Sequence, residues 1–238
     1  FKFNGWGLKY PANYDNQITA RIYAAGILNE AAEYRNHLNF VLEGGSIESD
    51  GQGTVLTTTS CLLSPNRNGG HAKDEIESSL KSYLHASRIL WLENGYLAGD
   101  DTDGHIDTLA RFCSPDSIAY VKCDDPADEH HDGLKEMERE LMSFKTRKGA
   151  AYRLIPLPMA DPVFDDRGNR LPATYVNFLI INGAVLVPFY GSEKDELVSR
   201  ILQPLFKERS IIGIDCRVLI KEHGSLHCMA MQYPEGVI

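Results

Sequence analysis

Three times along this chain a strand-like run, a turn, a second strand-like run, an amphipathic helix and a third strand follow one another, and the copies begin roughly 68 residues apart. An order of strand, strand, helix, strand kept over most of 238 residues leaves few architectures open. The first copy spans about 38–92, with "LNFVLEGG", a turn at "SDGQG", "TVLTTT", the helix "KDEIESSLKSYL" and the strand "RILWLE". The second, about 106–158, reads "IDTLARFC", a turn at "SPDS", "IAYVKCD", "LKEMERELMSF" and "YRLIPLP". The third, about 174–216, reads "TYVNFLII", "AVLVPFY", "KDELVSRILQPLF" and "IIGIDC". Its first two strands are joined by Asn182-Gly183, a pair that suits a type I′ hairpin turn because both central residues there take positive φ. Ahead of the copies, Ile18, Ile22, Ala25 and Leu28 share one face of a helix expected over about 16–33.

A hairpin with one helix cannot bury both of its faces, so the copies are expected to pack around a shared centre as propeller blades do. The alternative, a doubly wound nucleotide-binding sheet, lacks support: no GxGxxG or GxxxxGKS/T opens any of the helices. Hydrophobic residues at 43% and charged residues at 24% are ordinary for a soluble globular protein, and no apolar run has the length of a membrane span. A net charge of −9 with a pI near 5.4 argues against sequence-independent nucleic-acid binding and accommodates a small cation. The five widely spaced cysteines fit a reduced, cytoplasmic setting. The chain opens "FKFNGWGLKYP", with no initiator Met and no signal-like apolar segment, and this predicts a further segment upstream.

Around a shared centre, the ends of the first strands converge however far apart they lie in sequence. Glu43 in "LEGG", His105 and Asp107 in "GDDTDGHID", and Cys228 in "EHGSLHC" stand near such positions. A thiol, an imidazole and carboxylates in one pocket make a nucleophile with a proton donor and orienting anions. Each also has a plainer reading. A Glu before Gly-Gly is commonly a turn residue, and "TDGHID" can be a loop closed by its own hydrogen bonds. Cys228, in what reads as a turn leading into a short strand, can be an inert buried thiol. His223, His227 and Cys228 raise zinc, but Gly224 breaks the helix that would align two imidazoles four apart, and no CxxC is present. "DEHHD" at 128–132 has metal-like composition and reads better as the solvated start of a helix.

Longer strings are more specific. "FNGWGLKYP", "VLEGGSIESDGQGTVLTT", "CLLSPNRN", "GDDTDGHIDTLARF", "LPATYVNFLIING" and "HGSLHCMAMQYP" resemble, in order and over essentially the whole chain, the agmatine deiminase and bacterial-type peptidylarginine deiminase family of the guanidino-modifying (pentein) superfamily. The resemblance implies a pentein-type five-bladed α/β propeller of ββαβ units, N-terminally incomplete here, as a single deiminase domain over 1–238. It implies hydrolysis of agmatine to N-carbamoylputrescine and ammonia through a Cys-thiouronium intermediate, in putrescine and polyamine biosynthesis. Cys228 matches the nucleophile, His105 the catalytic histidine, Asp107 a carboxylate that grips the guanidinium, and Glu43 the glutamate beside the reacting carbon. Asp101 lies where an acidic residue faces the distal amine of the substrate, and Trp6 is a further substrate contact. No metal or organic cofactor is implied. The expected partner is a small cationic guanidino compound, without nucleic acid or membrane, and a homodimer is compatible with this. Peptidyl-arginine as substrate, amidine transfer, and a non-catalytic scaffold on the same fold are the competing readings. Two departures stand out. There is no Arg-Asp pair, so the family's tryptophan-x-arginine-aspartate motif with its second guanidinium ligand is missing, and Glu222, His223 and Ser225 occupy positions that are glycine-like in the family.

Overall fold

In a computed structural model covering residues 1–238, the chain forms three separate three-stranded sheets and one small hairpin. The first sheet holds β1 (Ile47–Ser49), β2 (Thr54–Thr58) and β3 (Arg88–Leu92). The second holds β4 (Ala110–Ser114), β5 (Ser117–Lys122) and β6 (Arg153–Pro158). After the hairpin of β7 (Val163–Phe164) and β8 (Arg170–Leu171), the third holds β9 (Leu179–Ile181), β10 (Ala184–Phe189) and β11 (Ser210–Asp215). In each sheet the first two strands are antiparallel, and the third returns parallel to the second, in registers such as Leu56↔Leu90, Ala119↔Ile155 and Val187↔Gly213. That return needs a crossover, and a helix supplies each one: Lys73–Leu84, His131–Ser143 and Lys194–Leu202.

The helices are amphipathic at helical spacing and bury one stripe each: Ile76 and Leu80, then Leu134, Met137 and Leu141, then Val198 and Leu202. Burial of each such side chain is worth about 1.5–3 kcal/mol. With a helix on one face and the molecular centre on the other, β2 is buried along its whole length and β5 in all but its last residue. One apolar core runs from Leu56 and Leu92 of the first sheet through Ile118, Leu134 and Leu157 to Phe178 and Val187 of the third. A buried ion pair crosses the centre as well. Arg111 on β4 donates to Glu48 on β1 at 2.6 Å and to the Phe178 carbonyl at 2.8 Å, so one guanidinium ties together all three units.

Several elements differ from expectation, and for physical reasons. The first helix spans Asp15–Ala24 and buries none of its residues, Ile18 being 46% exposed. The helical spacing of its apolar residues continues to Leu28, but Gly26, at φ +66°, leaves the helical region. The hairpin strands also begin later than their apolar runs. Residues 40–46, 105–109 and 174–178 are largely buried but unladdered, apart from a single bridge between Lys2 and Val41. They cross the centre instead, two of them as 3₁₀ turns, Gly44–Ser46 and Ile106–Thr108. A short apolar run signals burial and does not reveal whether its backbone is in a ladder. At Asn182-Gly183 the hairpin is present, Ile181 pairing with Ala184, but only Gly183 takes positive φ, +76°, so the turn is not type I′. No helix is long and apolar enough to cross a membrane.

Candidate active site

The three centre-crossing segments are what assemble the site. "GDDTDG" is wound tight by Asp100, whose carboxylate accepts from the Thr102 amide at 3.0 Å, the Thr102 hydroxyl at 2.5 Å and the Gly104 amide at 2.9 Å. Asp103 at φ +62° and Gly104 at φ +92° then turn the chain so that His105 and Asp107 enter the centre. From the first unit comes Glu43, followed by Gly45, where a Cβ would lie 2.5 Å from His105 Nδ1 and 2.9 Å from Asp107 Oδ2. Only glycine permits that approach. From the C-terminal segment come His227 and Cys228 on a short 3₁₀ turn, after His223 at φ +59°. The short strand expected after Cys228 is absent, and residues 230–238 are irregular.

Four expected residues therefore meet. His105 Nε2 lies 2.5 Å from Glu43 Oε2, His105 Nδ1 lies 4.0 Å from Asp107 Oδ1, and Cys228 Sγ lies 3.8 Å from Asp107 Oδ2. Asp107, 1% exposed, stands between imidazole and thiol. Its Oδ2 has partners in His227 Nδ1 at 2.8 Å and Asn177 Nδ2 at 3.2 Å, whereas its Oδ1 is buried with no hydrogen-bond partner. Glu43 is fully engaged, since Arg67 donates to Oε1 at 3.1 Å and Oε2 at 2.9 Å; the Arg67 guanidinium also donates to the Thr102 carbonyl.

The electrostatics follow from these neighbours. Burial penalises the charge of His105, but Cys61 and Glu43 as hydrogen-bond partners, with the charge of Asp107, outweigh it and raise the imidazole to about 10. Burial likewise opposes ionisation of Asp107, yet His227 and the His105 charge hold it below the usual carboxylate range. Glu43 is held low in the same way by His105 and Arg67. Cys228 is exposed as a residue, but its sulfur is tucked against Asp107 and Asn177. Burial of the sulfur and the Asp107 charge push the thiol up to about 12. The Asp107 carboxylate thus lies against the thiol and disfavours its ionisation, while Glu43 and His105 form a charged pair beside Asp107.

The other two expected residues lie apart from this group. The Asp101 carboxylate makes no hydrogen bond to another residue and is half-buried, which raises it above the ordinary range, while its backbone carbonyl accepts from Lys9 at 2.5 Å. Trp6 sits in a tight turn at φ +53°, packed edge-on against Phe3 and Tyr10. The adjacent Gly7 faces the Arg67 side, a Cβ there lying 3.8 Å from the Arg67 guanidinium.

Metal ligation finds little support in the donor sets. Glu43, Cys61 and His105 offer ligand atoms within 4.8 Å of one another, but Arg67 already neutralises both carboxylate oxygens and would oppose a divalent cation. His223 turns away from His227, to the Gly99 carbonyl at 2.8 Å, which breaks up the zinc triad considered for the C-terminal motif. In "DEHHD", His130 is buried rather than solvated: it contacts Asp128 at 2.6 Å and accepts from the Ala98 amide at 2.8 Å.

Sequence reasoning did not single out Arg67 or Asn177 and gave His227 no role of its own. All three lie inside the strings "CLLSPNRN", "LPATYVNFLIING" and "HGSLHCMAMQYP". The available signal was a polar residue within an otherwise apolar or turn-forming run, which by itself names no partner.

The profile of the Porphyromonas-type peptidyl-arginine deiminase family matches residues 1–234. A solved structure from Porphyromonas gingivalis superposes with a TM-score of 0.98 at 56% identity, covering 100% of this chain and 70% of that one. The C. jejuni agmatine deiminase with substrate bound superposes with a TM-score of 0.87 at 40% identity, covering 96% of this chain and 65% of that one. The agmatine deiminase of Pseudomonas fluorescens is 33% identical over 254 residues, which span 98% of this chain and 68% of that protein.

Proposed function

The chain belongs to the Porphyromonas-type peptidyl-arginine deiminase family, and from that premise we propose that it hydrolyses the guanidinium of agmatine to N-carbamoylputrescine and ammonia through a covalent adduct on Cys228. The observation that carries this is Asp107. A buried carboxylate with Oδ1 unpartnered, beside a thiol 3.8 Å from its other oxygen, calls for a ligand with N–H donors and positive charge. A guanidinium is planar, cationic and forked, and it fits that description. Glu43 reaches the same ligand by exchanging its Arg67 contact for one to the substrate, one guanidinium for another. Asp101, a half-buried carboxylate with no hydrogen bond to another residue, is assigned to the distal ammonium of agmatine, and Trp6 to the substrate side of the Arg67 wall.

In the proposed sequence the bound cation offsets the Asp107 charge and favours the thiolate, which attacks the guanidinium carbon. The thiol proton is released to solvent as the cation binds, and imidazolium His105 then gives its proton to the leaving nitrogen as the C–N bond breaks, releasing ammonia and leaving the thiouronium cation. The remaining thiouronium is attacked by water, whose proton neutral His105 accepts. Collapse of the second tetrahedral adduct breaks the C–S bond, its hydroxyl proton passes to the departing sulfur, and the thiol and the ureido product are returned. An imidazole raised to about 10 is charged at neutral pH, as the first step requires. The ββαβ units are proposed as blades of a five-bladed pentein propeller with 1–238 as one deiminase domain, and the five free cysteines support a reducing cytoplasmic setting.

Cys228→Ser is expected to retain the melting temperature and lose ammonia release from agmatine entirely. Retention of most of the rate would exclude the covalent route. Peptidyl-arginine is the second reading, favoured by the family description alone, and parallel assay of agmatine and a blocked arginine peptide separates the two.

A further inference from the structure

We propose that Asn177 is the positioning residue of this site: one buried amide that locks Asp107 to the nucleophile loop and keeps the Cys228 thiol protonated until a cation binds. The proposal rests on the reading of Cys228 and Asp107 given above. Asn177 is completely buried, and every polar atom of its side chain is spent inside the site. Its Nδ2 donates to both the backbone carbonyl and Oδ2 of Asp107, at 3.2 Å each. Its Oδ1 accepts from the amides of His227 at 2.8 Å and Cys228 at 3.4 Å, and faces Cys228 Sγ at 3.5 Å.

This network fixes which end of the amide points where. Exchanging N and O would set an NH₂ against two backbone N–H donors and an oxygen against a carboxylate, losing all four bonds and adding repulsion. The oxygen therefore faces the sulfur. A carbonyl oxygen accepts from S–H and repels a thiolate, so it acts in the same direction as the Asp107 charge. Holding Oδ2 of Asp107 also leaves Oδ1 as the atom available to a ligand, which sets the plane in which a guanidinium is gripped.

The anchor behind the amide is rigid. The stretch carrying Asn177 is outside the sheet, and the Tyr190 hydroxyl pins it by accepting from the Thr174 amide at 3.2 Å and donating to the Thr174 carbonyl at 3.1 Å. The same hydroxyl meets Ser225 Oγ at 2.8 Å, in the loop that delivers Cys228. Loop and amide are thus registered against one tyrosine at the end of β10. The charged and titratable groups around the thiol are Asp107, the more distant Asp100, the neighbouring His227 and Tyr190.

The test compares wild type, Asn177→Ala and Asn177→Asp by agmatine turnover and by the pH profile of iodoacetamide alkylation at Cys228, read by peptide mass. Asn177→Ala removes the acceptor, so the alkylation midpoint is expected to fall by about one pH unit while kcat/KM falls on the order of 100-fold from misplacement. Asn177→Asp keeps an acceptor on the sulfur but sets a second carboxylate against Asp107, so its midpoint is expected to rise. A merely structural asparagine would lower turnover without moving the two midpoints in opposite directions. Coincident midpoints in all three proteins, or wild-type turnover in Asn177→Ala, would overturn the assignment. If Asn177→Ala melts below the assay temperature, Asn177→Leu, similar in shape and without an acceptor, is read the same way. Wild-type protein that releases no ammonia from agmatine would sink the substrate reading, whereas the alkylation comparison tests Asn177 without any turnover.

Discussion

Replacing Asp107 by asparagine should make Cys228 more reactive towards a neutral alkylating agent and less reactive towards its substrate. The sulfur lies 3.8 Å from Asp107 Oδ2, a separation at which two unit charges interact by about 4 kcal/mol at an effective dielectric constant of about 20. That corresponds to about 3 pKa units. Because Cys228 is exposed as a residue, water screens part of this, and a shift of about 1–3 units is the expected range. The sign is fixed by charge: removing an anion favours the thiolate, so the thiol falls from about 12. At pH 8 iodoacetamide labelling of Cys228 should then accelerate by about 10-fold or more, since the thiolate is the reactive form. Agmatine turnover should move oppositely, with kcat/KM reduced by at least about 10-fold, because a charge-assisted hydrogen bond to the cation is lost. Stopped-flow or mass-spectrometric alkylation of both proteins across pH 6–10 measures the first effect, and ammonia release the second. An alkylation rate at pH 8 in Asp107→Asn no greater than that of wild type would refute the claim that this carboxylate holds the thiol neutral.

Arg111→Ala leaves Glu48 buried and unpaired at the junction of three units, a loss of about 3–5 kcal/mol and a Tm drop of roughly 6–20 °C. A melting curve within a degree or two of wild type would contradict the tie described above. His105 is raised in the folded protein from 6.5 to about 10, so its charged contacts contribute stability that is fully present below about pH 6.5 and lost as pH rises through about 10. Tm should therefore fall from neutral to alkaline pH, and His105→Asn should flatten that slope; an unchanged slope speaks against the charged pair with Glu43. At the third hairpin, Gly183→Ala should cost about 1 kcal/mol in denaturant unfolding, while Asn182→Ala should stay within about 0.5 kcal/mol, because only Gly183 holds positive φ. Equal losses at both positions would restore the type I′ turn.

Much of the architecture could be read directly. The three crossover helices fall where their apolar spacing put them, and "KDEIESSLKSYL" coincides with Lys73–Leu84. Helix periodicity is local, set by which side chains share a face within two turns, so one chain segment contains the whole signal. Strand limits were less legible, because "LNFVLEGG" and "TYVNFLII" are apolar for the sake of the centre they cross and not for a sheet face. Cys228, His105, Glu43 and Asp107 could be named as a group from ordered motifs, since reactive residue types stand out within short strings.

What no string contained was the partnership of those residues. That Glu43 is already held by Arg67, that Asp107 divides its two oxygens between a protein network and an unpartnered face, and that Asn177 joins that carboxylate to the thiol are all relations across more than 20 positions of sequence. Hydrogen bonds and charge interactions act over a few ångströms in space. Residue types determine which bonds a side chain is able to form, and only the packing of the three units decides which of them are made.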